Sequence, residues 1–333
     1  MSIARRILVT WLLFGAAAVI VCLLAPLVGS TSISLRRVFD SSVPFAENAD
    51  AQIFFVARLP RVLAGALVGS SLAASGVVLQ ALLRNPLATP FTLGVSAGAA
   101  LGAMLALTLD LSSGVAGFSA VPIASFAGSL GAVAIVYGLA QARQKGLSTN
   151  VLLLAGVTLN SFFSALILFV QFLSDFTQTF RTVRWLMGDL DVSSYAPLVA
   201  AAPPIALSFA AFAVLPRRMN LLSVSDESAA SRGVDVHSTQ RLAFLSASLA
   251  TGAAVSLGGP VGFIGIVVPH LIRLMVGADH RLVLPASAFG GAAFLVACDT
   301  VSRTALAPLE VPVGVVTAII GGPFFLWLLI KDR

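Results

Sequence analysis

Residues 7–28 read I-L-V-T-W-L-L-F-G-A-A-A-V-I-V-C-L-L-A-P-L-V, with Arg5 and Arg6 directly in front. No charged side chain interrupts the run. It exceeds the apolar core of a secretory leader, which spans about 7–15 residues. It is long enough for one bilayer crossing, which takes about 20 apolar residues. The reading is a retained first span with its N-terminus inside.

The same texture continues outward from it. Of 333 residues, 58% are hydrophobic and 10% charged, with a mean hydropathy of +0.99. Soluble domains carry about a quarter charged residues, so 20 basic and 14 acidic side chains are too few to coat a soluble chain of this length. The composition excludes an ordinary soluble enzyme, a disordered chain and a disulfide scaffold. The apolar stretches are continuous rather than alternating, which argues against a β-barrel. Helices that satisfy their own backbone remain.

The expectation is an all-α, polytopic membrane protein forming one transmembrane domain over residues 1–333. About ten spans are expected, at 7–28, 53–83, 91–109, 120–142, 151–172, 195–215, 241–257, 261–276, 282–301 and 313–330. An even number puts both termini on one side. Thirteen of the 20 basic residues fall on that side, which assigns it to the cytoplasm. Seven run against the trend: Arg36, Arg37, Arg58, Arg61, Arg181, Arg184 and Arg303.

Glycines four apart, at Gly65/Gly69, Gly94/Gly98/Gly102 and Gly258/Gly262, predict close helix packing. Prolines at 122, 203, 204, 269, 285 and 323 are expected to break or kink spans. Cys22 and Cys298 lack any CxxC partner and are read as free buried thiols.

Several chemistries are missing. There is no G-x-x-x-x-G-K-[ST], hence no P-loop for ATP, and no H-E-x-x-H. His237, His270 and His280 have no metal-ligand spacing. No metal site, catalytic residue or bound cofactor is expected. Charges deep in spans are scarce, which disfavours an ion-coupled carrier. A pathway driven by a partner protein fits best, and nothing points to nucleic acid.

The longest cytoplasmic polar segment is 216–240. Ser223 and Asp226 fit a capping box, Asp226 and Glu227 suit a helix N-terminus, and Gly233 suits a stop. A two-turn helix over 224–232 is predicted. Within it, Glu227–Gly233 reads E-S-A-A-S-R-G, which resembles the E-A-A-x-x-x-G signature of ABC importer permeases, with Ser228 at the first alanine.

Further blocks are similar to the permeases of type II ABC importers for iron chelates and cobalamin, the FecCD family. They are R-L-P-R (58–61), S-G-V-V-L-Q-A-L-L-R-N-P-L-A-T-P (75–90), L-G-V-S-A-G-A (93–99) and L-L-L-A-G-V (152–157). G-P-V-G-F-I-G-I-V-V-P-H-L-I-R-L (259–274), D-H-R (279–281) and L-E-V-P-V-G-V-V-T-A-I-I-G-G-P-F-F (309–325) follow in order. The resemblance implies a homodimeric permease in the bacterial inner membrane. Its partners would be two ATP-binding cassette subunits, which hold the ATP and Mg, and a periplasmic or lipid-anchored binding protein.

The resemblance also implies residue roles. Ser225, Asp226, Glu227, Ala229, Ala230, Arg232 and Gly233 would couple to the ATPase. Arg58, Arg61 and Arg303 would meet carboxylates of the binding protein, which would account for bases on the disfavoured side. Asn85, Leu87, Thr149 and Asn150 would form the cytoplasmic gate. Arg181 and Arg184, near Trp185, Asp189 and Asp191, would contact an anionic substrate. The expected cargo is a ferric siderophore or haem, with cobalamin as the alternative and an ion-coupled carrier behind both.

Overall fold

A computed structural model of the chain describes residues 3–111, 119–143, 149–192 and 194–331. The main helices are α1 (Ile3–Leu24), α2 (Ala49–Leu82), α3 (Val95–Thr108), α4 (Ala120–Arg143), α5 (Thr149–Leu173), α6 (Phe176–Leu186) and α7 (Ala196–Val214). They continue with α8 (Pro216–Leu222), α9 (Asp226–Ser231), α10 (Val236–Gly258), α11 (Ile264–Val276), α12 (His280–Thr304) and α13 (Val313–Lys331). No strand occurs among the described residues.

Seven helices are long and apolar enough to cross a bilayer: α1, α2, α4, α5, α7, α10 and α12. Each of the other three expected segments holds a shorter apolar helix, α3, α11 or α13. With 14 and 13 residues, α3 and α11 reach only about 20 Å at 1.5 Å per residue. Their shortness does not come from the prolines singled out in the sequence. Pro203, Pro204, Pro269, Pro285 and Pro323 all lie inside continuous helix. The breaks fall instead at two loops. One ends in a 3-10 turn, Pro90–Leu93, capped by Thr89 and closed by Gly94 at φ 78°. The other joins α10 to α11 through Gly259 at φ 67° and Phe263 at φ 68°. Each loop sets a left-handed residue directly before its helix.

Three helices form the centre. In α2 and α10, 78% of the most apolar window is buried, and in α12 67%, against 6% in α1. Helix α1 therefore lies at the periphery of the bundle. Small residues let the centre close. A Cβ on Gly69 would strike the Gly291 backbone of α12, and one on Gly76 the Gly265 backbone of α11. Gly98 and Gly102 meet Gly128 and Ala124 of α4 in the same way. The partner glycines stand outside the four-residue spacing. Gly262 meets nothing, so that member of the pattern is not a packing residue.

Segment 216–240 differs from its reading as a connector with one helix. It holds α8, α9 and the first turn of α10, which Asp235 caps through the Ser238 amide at 2.9 Å. Helix α6 was not expected either. Asp175 caps it at the Gln178 amide, 2.7 Å, and Gln178 reaches back to the Asp175 amide.

Candidate coupling, gate and docking sites

Helix α9 is a two-turn unit with both ends closed by its own residues. Its N-cap is Ser225, not Ser223. Ser225 is extended, at φ −165° and ψ 158°, and its Oγ accepts from the Ser228 amide at 2.9 Å. Ser223 instead ends α8 and donates to the Asn220 carbonyl at 2.9 Å. The helix consequently starts at Asp226 and ends at Ser231, inside the 224–232 expected. Its C-terminus is a Schellman motif. The Gly233 amide donates to Ala230 at 2.9 Å and the Val234 amide to Ala229 at 3.1 Å. Gly233 sits at φ 80°, where a side chain would be strained.

One face of α9 points away from the bundle. Asp226, Glu227, Ala230, Arg232 and Gly233 are exposed, whereas Ala229 is fully buried. The two alanines, indistinguishable in the motif, therefore differ in kind: Ala229 packs α9 onto its own chain and Ala230 faces outward.

Two anchors tie this segment to the core helices. Asn220 of α8 donates its amide to Asp279 Oδ1 at 2.7 Å and accepts the His280 amide at 2.9 Å, which fastens α8 to the start of α12. Arg281 grips Asp279 through Nη2 at 2.6 Å. The Arg281 and Asn220 hydrogen bonds hold the Asp279 carboxyl well below the usual carboxylate range, so it stays charged at physiological pH. The second anchor is Arg84. It forms an ion pair with Asp226 and donates Nε to the Leu222 carbonyl at 3.1 Å.

Arg84 directly precedes the expected gate loop and is itself left-handed, at φ 48°. In that loop Asn85 Oδ1 accepts the Leu87 amide at 2.9 Å, an Asx turn, and Leu87 is exposed. Helix α5 begins at Thr149 with Asn150 exposed; the Thr149 side chain lies outside the described residues. Helix α5 is held to the 3-10 turn after the gate loop by Asn160 Nδ2, 3.3 Å from the Phe91 carbonyl. The expected coupling segment and gate loop are thus joined by a residue that sequence reasoning counted only as a topological charge. Its position directly before N-P-L was the available signal. Nothing in the sequence marked Asn220.

At the opposite end, Arg58, Arg61 and Arg303 come together, but as buried groups. They are 6%, 7% and 5% exposed. Arg61 binds Asp299 at 2.8 Å and Glu310 at 2.6 Å, and Arg303 Nε lies 3.2 Å from Asp299. Arg58 donates to the Pro26 carbonyl at 3.0 Å and to the Thr31 carbonyl. Gly29 makes room for it, since a Cβ there would overlap the guanidinium. Three bases against two acids leave this cluster one formal charge positive. Arg303 Nη1 is buried with no hydrogen-bond partner, and Glu310, with 45% of its side chain exposed, forms the rim.

Arg181 and Arg184 lie on α6. Arg184 is held by Asp189 at 3.0 Å and by Asp191 at 3.8 Å, while Arg181 is exposed. Among the described residues no group of three His, Cys, Asp or Glu side chains could hold a metal ion.

The family model for the FecCD transport family matches residues 17–331. The chain is 38% identical over 306 residues to the hemin transport system permease protein HmuU of Yersinia pestis, covering 92% of this chain and 90% of that protein. It is 46% identical over 305 residues to the cobalamin import system permease protein BtuC of Halobacterium salinarum, covering 90% and 79%. Its fold is similar to a solved ABC-type transporter chain in an inward-facing conformation, with a TM-score of 0.81 and 32% identity over 98% of this chain and 99% of that one. Sequence blocks, helical architecture and comparisons agree: the chain is an integral membrane protein of the FecCD transport family.

Proposed function

We propose that the chain is the permease subunit of an ATP-driven importer in the bacterial plasma membrane, working as a homodimer with two separate ATPase subunits and an external binding protein. It crosses ten times, with α3, α11 and α13 completing their crossings through the loops beside them, and both termini are cytoplasmic. The exposed face of α9, carrying Glu227, Ala230 and Arg232, seats on the ATPase. The observation that carries the proposal is the Arg84 bridge, which joins α9 to the loop of Asn85 and Leu87. Motion imposed on α9 by ATP passes along it to the gate that those residues form with Thr149 and Asn150.

The cargo is a bulky iron complex, haem or a ferric siderophore. Cobalamin is the second reading, favoured by the 46% identity to the Halobacterium permease. Vesicles holding the permease, its ATPase and its binding protein are expected to accumulate one labelled chelate only when ATP is present. Accumulation without ATP would overturn the proposal in favour of an ion-coupled carrier.

The binding protein docks over the cluster of Arg58, Arg61 and Arg303, where its carboxylate competes with Glu310 for Arg61. Arg181 adds attraction for an anionic chelate beside it. Removing the rim acid raises the net charge of the cluster by one. Glu310→Gln is therefore expected to tighten docking several-fold at low salt, an effect that fades as salt screens it. Unchanged or weaker affinity in a salt titration would remove the docking role. Glu310 is the cleaner probe, because reversing Arg58 or Arg61 would leave a buried charge clash and test folding instead.

A further inference from the structure

Helix α7 packs on α10, and α1 packs on α12, which leaves a cleft between the α1 and α7 sides of the bundle. At the end carrying the chain termini this cleft is a cavity of about 640 Å³. Its walls are apolar, with Trp11 of α1, Phe209 and Phe212 of α7, and Leu284 and Ala288 of α12. A second cavity of about 530 Å³ shares Phe209 and Ala288 and continues toward Tyr195 at the far end of α7. The cleft runs beside α7, whose 19 residues extend about 28 Å. That exceeds half of a hydrocarbon core about 30 Å thick.

The cleft is open sideways to the bilayer. Trp11 remains 48% exposed and Val214 54%. Its one polar feature is at the mouth, where Arg217 and Arg281 line the cavity. Asp279 neutralises Arg281. Arg217 has no such partner: among the described residues it makes no ion pair, and Arg218 beside it is also exposed. An apolar channel one leaflet deep, ending in an uncompensated guanidinium at headgroup level, matches a molecule with a hydrocarbon chain and an anionic head. Basic pockets between helices bind anionic lipid headgroups in this way, and a guanidinium pairs with phosphate oxygens in a two-pronged geometry. Carboxylates are absent from the cavity lining, so nothing repels such a head.

We infer that this cleft is a binding site for one anionic glycerophospholipid of the leaflet on the side of the chain termini, its phosphate on Arg217 and one acyl chain along Trp11, Phe209 and Phe212. The inference requires only that the chain sits in a bilayer. It stands or falls separately from the transport proposal, since its test involves no ATP, ATPase or cargo.

Trp11 reports on the site directly. In a full-length variant carrying Trp185→Phe and Trp327→Phe, Trp11 is the remaining tryptophan. It is reconstituted in nanodiscs of phosphatidylcholine with increasing fractions of phosphatidylglycerol brominated on its acyl chains. Brominated phosphatidylcholine serves as the parallel arm. Phosphatidylglycerol is expected to quench Trp11 at about a fivefold lower mole fraction, the effect of one basic residue near a membrane surface. Arg217→Ala should abolish that preference, and Arg217→Lys should retain much of it. Arg36→Ala, at the opposite end, should change nothing. Ala213→Trp fails as a probe by fluorescence, so blocking the exposed wall is done with Ala213→Leu, which should reduce quenching by both lipids. Equal quenching by the two lipids overturns the site, as does a phosphatidylglycerol preference that survives Arg217→Ala.

Discussion

Arg84→Glu is expected to cut ATP-dependent transport at least fivefold while leaving the folded protein almost as stable as the parent. The two halves of that expectation have different sources. Arg84 and Asp226 are 44% and 49% exposed at their side chains, and exposed pairs contribute about 0.2–1 kcal/mol. Losing the pair therefore leaves the melting temperature nearly unchanged. Transport depends on something else, the communication between α9 and the gate loop, and coupling free energies between sites correspond to about 5–150-fold effects. The reversed charge adds repulsion at the point where the two elements meet and removes the donor to the Leu222 carbonyl.

The double variant Arg84→Glu with Asp226→Arg restores the sign of the pair and should recover part of the transport. Recovery will be incomplete, because an arginine in the first turn of α9 opposes the helix dipole at a cost of about 0.3–1 kcal/mol. Transport in the double variant no better than in either single one would show that the link is not made by this pair. ATP hydrolysis measured in parallel separates uncoupling, where hydrolysis continues, from failed assembly, where it stops.

Asp299→Asn should have the largest effect on stability of any single change at the docking end. The carboxylate is 1% exposed, and it faces Arg61 at 2.8 Å and Arg303 at 3.2 Å. Removing its charge leaves two buried guanidiniums facing each other with Arg58 nearby. Stripping one partner from a buried ion pair costs about 3–5 kcal/mol, several times the Arg84–Asp226 pair. Thermal unfolding of the purified protein in detergent measures it. Replacing Asp299, Arg61 and Arg303 together by leucine should cost less than the single change, since the two buried guanidiniums that Asp299 faces are removed with it. An Asp299→Asn protein that melts with the parent would mean the cluster does not hold α2 and α12 in register.

The contrast between these two ion pairs shows where sequence reading stopped. Both were visible as residues. The three outer arginines stood out because topology disfavours them, and Arg58 and Arg61 lie in a family-like block. Their burial did not stand out, because it depends on Asp299, 238 positions from Arg61 in the chain, arriving on the same side of the bundle. Arg84 was legible as a cytoplasmic base and no more. Its partner lies 142 positions away, and no local pattern joins N-P-L to E-S-A-A-S-R-G. That Ala229 is buried and Ala230 exposed was not legible for a related reason: a two-turn helix has no long periodic stripe to say which face is covered.

What the sequence determined by itself follows from the solvent. A chain with so few charges and such continuous apolar runs has to satisfy its backbone internally, so its all-helical class and the places of its apolar helices were readable from composition and spacing. The stop at Gly233 was readable too, because a helix terminus is satisfied by residues within a few positions. Tertiary structure alone decided which helices lie at the centre, where the short helices break, and which charges face each other. In lipid, every apolar face is equally acceptable to the solvent, so hydrophobicity cannot sort inner helices from outer ones. Only the backbone approaches at Gly69–Gly291 and Gly76–Gly265, together with pairs of distant polar groups, choose one bundle among many.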